Sequence, residues 1–408
     1  MLKILETAPE VNSVTPLDEV IRGAAQRVLA KALEVEVADY LERHREHRDE
    51  DGRALVVRNG KARPRQVTTG AGTIEVRAPR VHDRRSGHRF TSSILPPWMR
   101  RSPKVAEVLP VLYLRGLSTG DFKDALSALL GENASGLSAS SIARMTSAWD
   151  QEYRSFRRRD LSDEDYVYVW ADGVHFRVRL EEDRLCTLVL IGVRKDGAKE
   201  LIAVEDGYRE SAESWSSVLR DLMRRGLRAP VLGIGDGNLG FWRAIRDVWP
   251  ETREQRCWVH RLRNVLDKLP KRLQAKAKEA LHQIMYAECR EHAEEGIERF
   301  VEDYGAKYPK AVESLRRDED CLLSFFDFPA EHWQHLRTTN AIESAFATVK
   351  LRQRVTKGAG SRTKALLMAF KLLDMAQQRW RRVTAPHLVA MVREGVPFTD
   401  GTQVRNAA

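Results

Sequence analysis

Two short runs decide how this chain folds: YVYVWADG at residues 166–173 and VLGIGDG at residues 231–237. Each is a dense stretch of strand-forming residues that stops at an Asp-Gly pair, Asp172-Gly173 and Asp236-Gly237. Between them, Phe176–Leu180 continues the first strand or starts the next, Leu185–Val193 is a second apolar run, and Asp196-Gly197 turns the chain into Glu200–Val204. Trp215–Gly226 has the 3.6-residue spacing of an amphipathic helix through Trp215, Val218, Leu219 and Leu222. After Val231–Gly235 the pattern gives a helix at Phe241–Trp249 and a last short strand at Arg253–Cys257, leading into a helix near His260.

Three strands followed by alternating helix, strand, helix and strand is the order of a ribonuclease-H-like fold, so the class is α/β. Working outward, residues 161–265 read as the first part of that core. Residues 266–335 turn helical and charged without further strands, an all-α insertion, and residues 336–390 supply closing helices, with 391–408 as a loose tail. Upstream, residues 1–98 read as an N-terminal helix, opened by Thr15-Pro16, followed by a basic β-hairpin unit. There Asn59-Gly60 is a tight-turn signal, Arg65–Thr69 and Thr73–Ala78 are strands, and Pro79, Gly87, Pro96 and Pro97 form a linker. Residues 99–160 carry short helices broken at Gly116, Gly131 and Gly136, with Ser118 and Ser138 as caps, the pattern of a helix-turn-helix DNA-binding domain. Ser140, Ser141 and Arg144 would then meet DNA from the first turns of the third helix. An ordinary three-helix bundle satisfies the same pattern.

The chain has 408 residues, 42% hydrophobic and 31% charged, with 68 Lys and Arg against 58 Asp and Glu, a formal charge of +10. That excess favours a polyanionic partner through release of condensed counterions, and double-stranded DNA is the leading candidate. No apolar run is long enough to span a bilayer, and the N-terminal MLKILETAPEVNSV lacks a secretory pattern. Four scattered cysteines do not suggest a disulfide framework. The expected location is the cytoplasm, in association with the nucleoid and without a membrane.

Cutting and joining phosphodiesters requires the attacking and leaving oxygens to be stabilised together. Two divalent ions about 3.5–4 Å apart do both, and Mg²⁺ or Mn²⁺ prefers hard oxygen ligands. Asp172 and Asp236 end neighbouring strands in the expected fold. Asp-Gly at a strand end is also a common turn pair, so either alone is weak and the pair is the signal. The third carboxylate arrives in Thr338-Thr339-Asn340-Ala341-Ile342-Glu343-Ser344, where Thr339 or Asn340 caps a helix and Glu343 falls in its first turn. Glu343, Ala347, Lys350 and Arg354 share one face of that helix, while Ile342, Phe346 and Val349 share another. The first face is a basic ridge, extended by Lys357, that can contact phosphates; a merely solvated cationic face has the same spacing.

These residues resemble the signature of the bacterial Mutator-type insertion-sequence transposases. The resemblance rests on Gly235-Asp236-Gly237-Asn238, on Arg256-Cys257-Trp258-Val259-His260 with Asn264, and on Thr338–Ser344; Arg58-Asn59-Gly60, Ala78–Val81 and Arg115–Thr119 also look like family landmarks. It covers residues 15–385. It implies a ribonuclease-H-like core with a helical insertion between the second Asp and the Glu. It also implies cleavage and strand transfer at terminal inverted repeats and into target DNA, two Mg²⁺ or Mn²⁺ ions, and a homodimer or higher oligomer on DNA. The implied triad is Asp172, Asp236 and Glu343, all three metal ligands and catalytic. His260 is expected to open its helix close to Asp236 and contribute to catalysis through a phosphate. Cys257 is expected in the core as a small hydrophobe. Cys257 and His260 could also be drawn into a zinc site with Cys289 and His292, although the second pair sits in charged helix outside the recognised block. Two other readings stay open: a catalytically inactive DNA-binding regulator derived from a transposase, and a junction nuclease on the same fold.

Overall fold

The computed structural model describes residues 16–114, 125–126, 130, 139–176, 185–207, 210–237, 240–356 and 361–404. Chain contacts divide it into two compact units, one up to Met145 and one from Thr146.

In the first unit, helix α1 (Pro16–Arg43) accompanies strands β1 (Val56–Lys61), β2 (Arg65–Thr69), β3 (Gly72–Val76) and β4 (Pro79–Asp83). β2 and β3 form the expected hairpin, whose Val67, Ile74 and Val76 bury against Leu33 of α1. Asn59-Gly60 does not make a hairpin turn. It lies inside β1, where Gly60 has φ 62° and the register with β4 shifts between Arg58 and Lys61, so its left-handed residue forms an irregularity. The proline-bearing stretch read as linker supplies β4 itself; Pro79, at the first strand position, has no N–H to lose to the ladder. α2 (Pro103–Leu114) follows, and Leu109 packs with Leu126, Leu130 and Met145. The middle helix of the helix-turn-helix reading falls largely outside the described residues.

The second unit contains most of α3 (Ala139–Arg158). It then runs β5 (Tyr166–Phe176), β6 (Leu185–Arg194), β7 (Lys199–Gly207), α4 (Ala212–Arg224), β8 (Leu232–Gly235), α5 (Phe241–Val248) and β9 (Arg253–Arg256). These strands make one mixed sheet in the order β7-β6-β5-β8-β9; β5 and β6, and β6 and β7, are antiparallel, and β8 is parallel to both β5 and β9. Alternation along β5 sends its side chains to opposite faces. Val169 and Ala171 join the core formed by Trp215, Leu219 and Leu222 of α4 and Phe241 and Ile245 of α5. Tyr168 and Trp170 face the other way, where Tyr168 Oη lies 2.9 Å from His332 Nδ1 and Trp170 donates to the His335 carbonyl.

On that second face lie His332 and His335, from the chain that follows the helical segment. α6 (Trp258–Leu266), α7 (Lys271–Met285), α8 (Arg290–Tyr304) and α9 (Pro309–Arg316) precede a series of short turns, then α10 (Asn340–Thr356) and α11 (Arg362–Gln377). Residues 391–408, read as a loose tail, fold in their described part. α12 (His387–Arg393) buries Val389 and Val392, and a hairpin at Phe398–Gln403 receives Ala330 N–H at the Gly401 carbonyl. Short runs such as Phe398–Thr399 have no periodicity to read, which is why the sequence pattern missed them.

The helix carrying Glu343 is held by its apolar stripe: Ile342, Phe346 and Val349 are all buried, as their spacing predicts. Ile342→Ala should therefore destabilise this unit by about 2–5 kcal/mol, whereas Leu351→Ala, at a 47% exposed position of the same helix, should stay within about 0.5 kcal/mol. Urea unfolding followed by tryptophan fluorescence checks both.

Candidate active site

Parallel register builds the site. β5 and β8 pair from Tyr168–Leu232 to Ala171–Gly235, so Asp172 and Asp236 are the next residue on each of two adjacent parallel strands. Asp172 is not a strand end, as the sequence suggested. β5 runs on to Phe176 against β6, with Asp172 opposite Val189, and only its parallel ladder stops there. Asp236 follows β8 directly; its carbonyl accepts from Trp242 Nε1 at 2.5 Å, while its carboxylate Oδ1 is buried with no hydrogen-bond partner among the described residues.

Glu343 is delivered by a clasp between distant segments. Cys257, at the end of β9, hydrogen-bonds through its backbone to Gly235 and caps α6. Its thiol accepts from Thr339 N at 3.3 Å, and Thr339 Oγ1 lies 3.2 Å from the same sulfur and 3.1 Å from Glu343 Oε1. The Thr339 carbonyl accepts from the N–H groups of Ile342 and Glu343, which makes it the helix cap. Cys257 is buried, as expected, but it is more than a small hydrophobe. Three residues on, His260 Nε2 stands 3.6 Å from Glu343 Oε1. The neighbouring Cys257 thiol, and then the carboxylates of Asp236 and Glu343, push the imidazole up to about 9 against the opposing effect of burial. These groups favour the protonated imidazole beside the acids.

A fourth carboxylate lies among them that the sequence reading missed. Glu210 contributes to the electrostatic environment of Asp172 and sits 3.1 Å from His175 Nε2. Two close approaches seat it. A Cβ on Gly173 would fall 2.1 Å from Glu210 Oε1, and one on Gly240 would fall 2.2 Å from Ala212 N. Gly173 thus leaves room for Glu210, and Gly240 lets the loop after Asp236 meet the residues 210–212. Trp242 holds the Asp236 backbone and carries Arg256 Cζ 3.8 Å above its ring. No motif marks Glu210, since it is brought in by a loop contact.

Burial is the main reason Asp172 is pushed up to about 7; the Gly173 N–H and His260 oppose it, and Glu210 and Glu343 add to it. Hard oxygens, a carboxyl whose ionisation is opposed by burial and by neighbouring acids, and an oxygen on Asp236 without a hydrogen-bond partner among the described residues fit a divalent cation. Among the described residues, His175, Cys186 and Glu210 are the one set of such donors with all ligand atoms within 4.8 Å; the triad is spaced more widely. Cys186 there is a poor ligand, because burial and then Glu210 push its thiol up to about 12. Cys257, His260, Cys289 and His292 do not form such a set.

Of the residues read as touching DNA, Arg144, Lys350 and Arg354 are exposed, with Lys350 Nζ 5.9 Å from the Phe346 ring centroid. Ser140 and Ser141 lie on the first turn of α3, their side chains outside what is described, and Lys357 lies outside the described residues.

The raised Asp172 carries a pH signature in protein free of divalent ions. The native state keeps its proton up to about 7, while the unfolded chain loses it near 3.8, so its contribution to stability is whole below 3.8 and lost as pH rises through 7. Asp172→Asn should then melt higher than wild type above pH 7, with the gap closing as pH falls toward 3.8. Thermal melts across pH check this, and equal gaps at both extremes would contradict it.

The family model described as "Transposase, Mutator family" matches residues 2–382. The chain is 58% identical over 297 residues to the transposase for insertion sequence element IS6120 of Mycolicibacterium smegmatis, covering 73% of this chain and 92% of that one. It is 49% identical over 280 residues to the transposase for insertion sequence element IST2 of Acidithiobacillus ferrooxidans, covering 68% and 95%. Two solved structures show a slight likeness. One is the Drosophila P element transposase strand transfer complex (TM-score 0.23, 11% identity, 72% of this chain and 91% of that one). The other is the HTLV-2 integrase catalytic core domain in complex with magnesium (TM-score 0.18, 17% identity, 31% and 88%). The assignment rests on the sequence relatives and not on these two: the chain belongs to the Mutator family of transposases.

Proposed function

We propose that this chain binds the terminal inverted repeats of an insertion sequence and catalyses DNA cleavage and strand transfer with Asp172, Asp236 and Glu343. The observation that carries the reading is the convergence of three acids from β5, β8 and α10 at one end of the sheet, in an arrangement consistent with a ribonuclease-H-like core. The same three would hold two Mg²⁺ or Mn²⁺ ions, which supply charge stabilisation for the attacking and leaving oxygens when bound. Asp172 and Asp236 face that position from the sheet, and Glu343 closes it from the helix. Thr339 fixes the Glu343 carboxylate, and the His260 cation beside it offsets the crowding of negative charge and can donate to a phosphate oxygen.

DNA ends and target would be held by the basic unit before Met145 and by Lys350 and Arg354 on the exposed face of α10, with two or more copies of the chain on the DNA. Association with the nucleoid follows from that partner. An inactive regulator has no use for three converging acids and an orphaned carboxylate oxygen, so the catalytic reading is favoured.

Asp172→Asn, Asp236→Asn or Glu343→Gln should each lower cleavage of terminal-repeat DNA about a thousandfold or more while sparing end binding, because each removes a ligand from the reacting centre. Gel mapping of nicked and joined products decides it, and near-normal strand transfer in any of the three would remove that residue from the triad.

His260→Ala should impair cleavage far more than His292→Ala, which changes an exposed residue of α8. Small and equal losses in the same assay would make His260 an ordinary structural histidine.

A further inference from the structure

Beyond Asp236 the active site opens into a cleft of ≈ 370 Å³ whose wall includes Arg256, Arg261, Lys268, Lys310 and Asp318. The triad chemistry leaves these residues unused. Two of the cations are buried, Arg256 at 3% exposure and Arg261 at 5%. Taking a guanidinium out of water is costly unless its donors are matched.

They are matched incompletely. Arg256 Nη2 lies 2.9 Å from Glu254 Oε2, and the group stacks on Trp242, but Nε reaches Asp318 Oδ2 only at 3.4 Å and Nη1 is buried with no hydrogen-bond partner among the described residues. Arg261 donates to the Ser314 carbonyl and reaches the same Asp318 Oδ2, again at 3.4 Å. One oxygen thus stands at long range between two buried cations. Asp318 itself has φ 55°, in the left-handed region, so the backbone is strained where this carboxylate is presented. A simple clamp between sheet and helices would bring its ions closer and leave no donor over.

The position relative to Asp236 gives the ligand. A Cβ on Gly237, the next residue, would lie 3.6 Å from Arg261 Nη2 and 3.8 Å from Arg256 Cδ. Both arginines therefore flank the turn that presents a triad carboxylate. Lys268 and Lys310 are exposed at the cleft. Guanidinium groups match phosphate geometry through paired donors, and the match strengthens where water is excluded.

We propose that this cleft is a phosphate subsite: Arg256 and Arg261 receive a backbone phosphodiester next to the one being cut, and Lys268 and Lys310 guide that strand out between α6 and α9. The inference rests on the transposase reading above. The bound phosphate takes the free Arg256 Nη1 donor and the long-range place that Asp318 now fills.

The test uses terminal-repeat duplexes carrying single methylphosphonates around the cleavage position, bound by the full chain with Ca²⁺ in place of Mg²⁺. In wild type, one neutralised linkage beside the scissile one should weaken binding markedly; in Arg261→Gln the same neutralisation should cost nothing, because its partner is gone. Lys310→Ala, at an exposed position that leaves the melting temperature unchanged, should lower the slope of log affinity against log salt by about one. Equal sensitivity of variant and wild type at every linkage, or an unchanged salt slope in Lys310→Ala, overturns the subsite. The Lys310 arm decides the matter alone if Arg261→Gln does not fold. Should the wild type fail to distinguish the repeats from unrelated DNA, the function reading itself falls and the subsite with it; repeats distinguished without the coupling sink the subsite only.

Discussion

The parallel pairing of β5 with β8 is the constraint from which the rest of the site follows. A parallel ladder advances both strands in the same direction, so the residues just past its end, Asp172 and Asp236, emerge side by side. An antiparallel pair would have sent them to opposite ends of the sheet. Parallel pairing needs a crossover, which the chain supplies with α4, whose Trp215 and Leu219 bury on the sheet. The core beneath the site and the spacing of its two acids therefore share one cause.

Bringing acids together in a partly buried place has an electrostatic cost, and the surroundings show how it is offset. Burial favours the protonated form of Asp172, while the His260 imidazole, whose protonated form is also favoured, stands 3.6 Å from Glu343. Against the effect of burial, hydrogen bonds to His260 and Thr339 push the Cys257 thiol down, and its thiolate form favours the protonated imidazole; the same sulfur accepts from Thr339 at the head of the Glu343 helix. What reads as a metal-like Cys-x-x-His spacing thus serves charge compensation and helix placement together. Glu210 has His175 Nε2 at 3.1 Å, on an exposed side chain.

The order of strands and helices from Tyr166 to Arg256 was legible because these elements are long or strongly periodic, and the apolar stripe Ile342, Phe346 and Val349 placed its helix face correctly. The three acids could be nominated because two end apolar runs and the third follows a capping residue. Glu210 was not legible: it lies in a loop, and only the close backbone approach at Gly240 and the missing side chain at Gly173 bring it to Asp172. Asn59-Gly60 misled because a left-handed residue suits a strand irregularity as well as a hairpin turn. The folding of the chain's end depends on contacts such as Arg290 N–H to Asp400, 110 residues away, which no local pattern records.

The separation of three between Cys257 and His260 has a geometric reason that a zinc site would not need. Cys257 must continue the β9 ladder, since its N–H donates to Gly235, and yet cap α6, whose next N–H, from Trp258, goes to the Arg337 carbonyl. From a capping position, the side chain three residues on returns to nearly the same side of the helix. Cys257 and His260 therefore meet the same partner segment, the sulfur at Thr339 and the imidazole at Glu343, itself four residues further along α10. A spacing of two would turn the imidazole away from that carboxylate. Both sequence blocks, the one ending in His260 and the one ending in Glu343, thus have spacings set by a single contact between two helix N-termini.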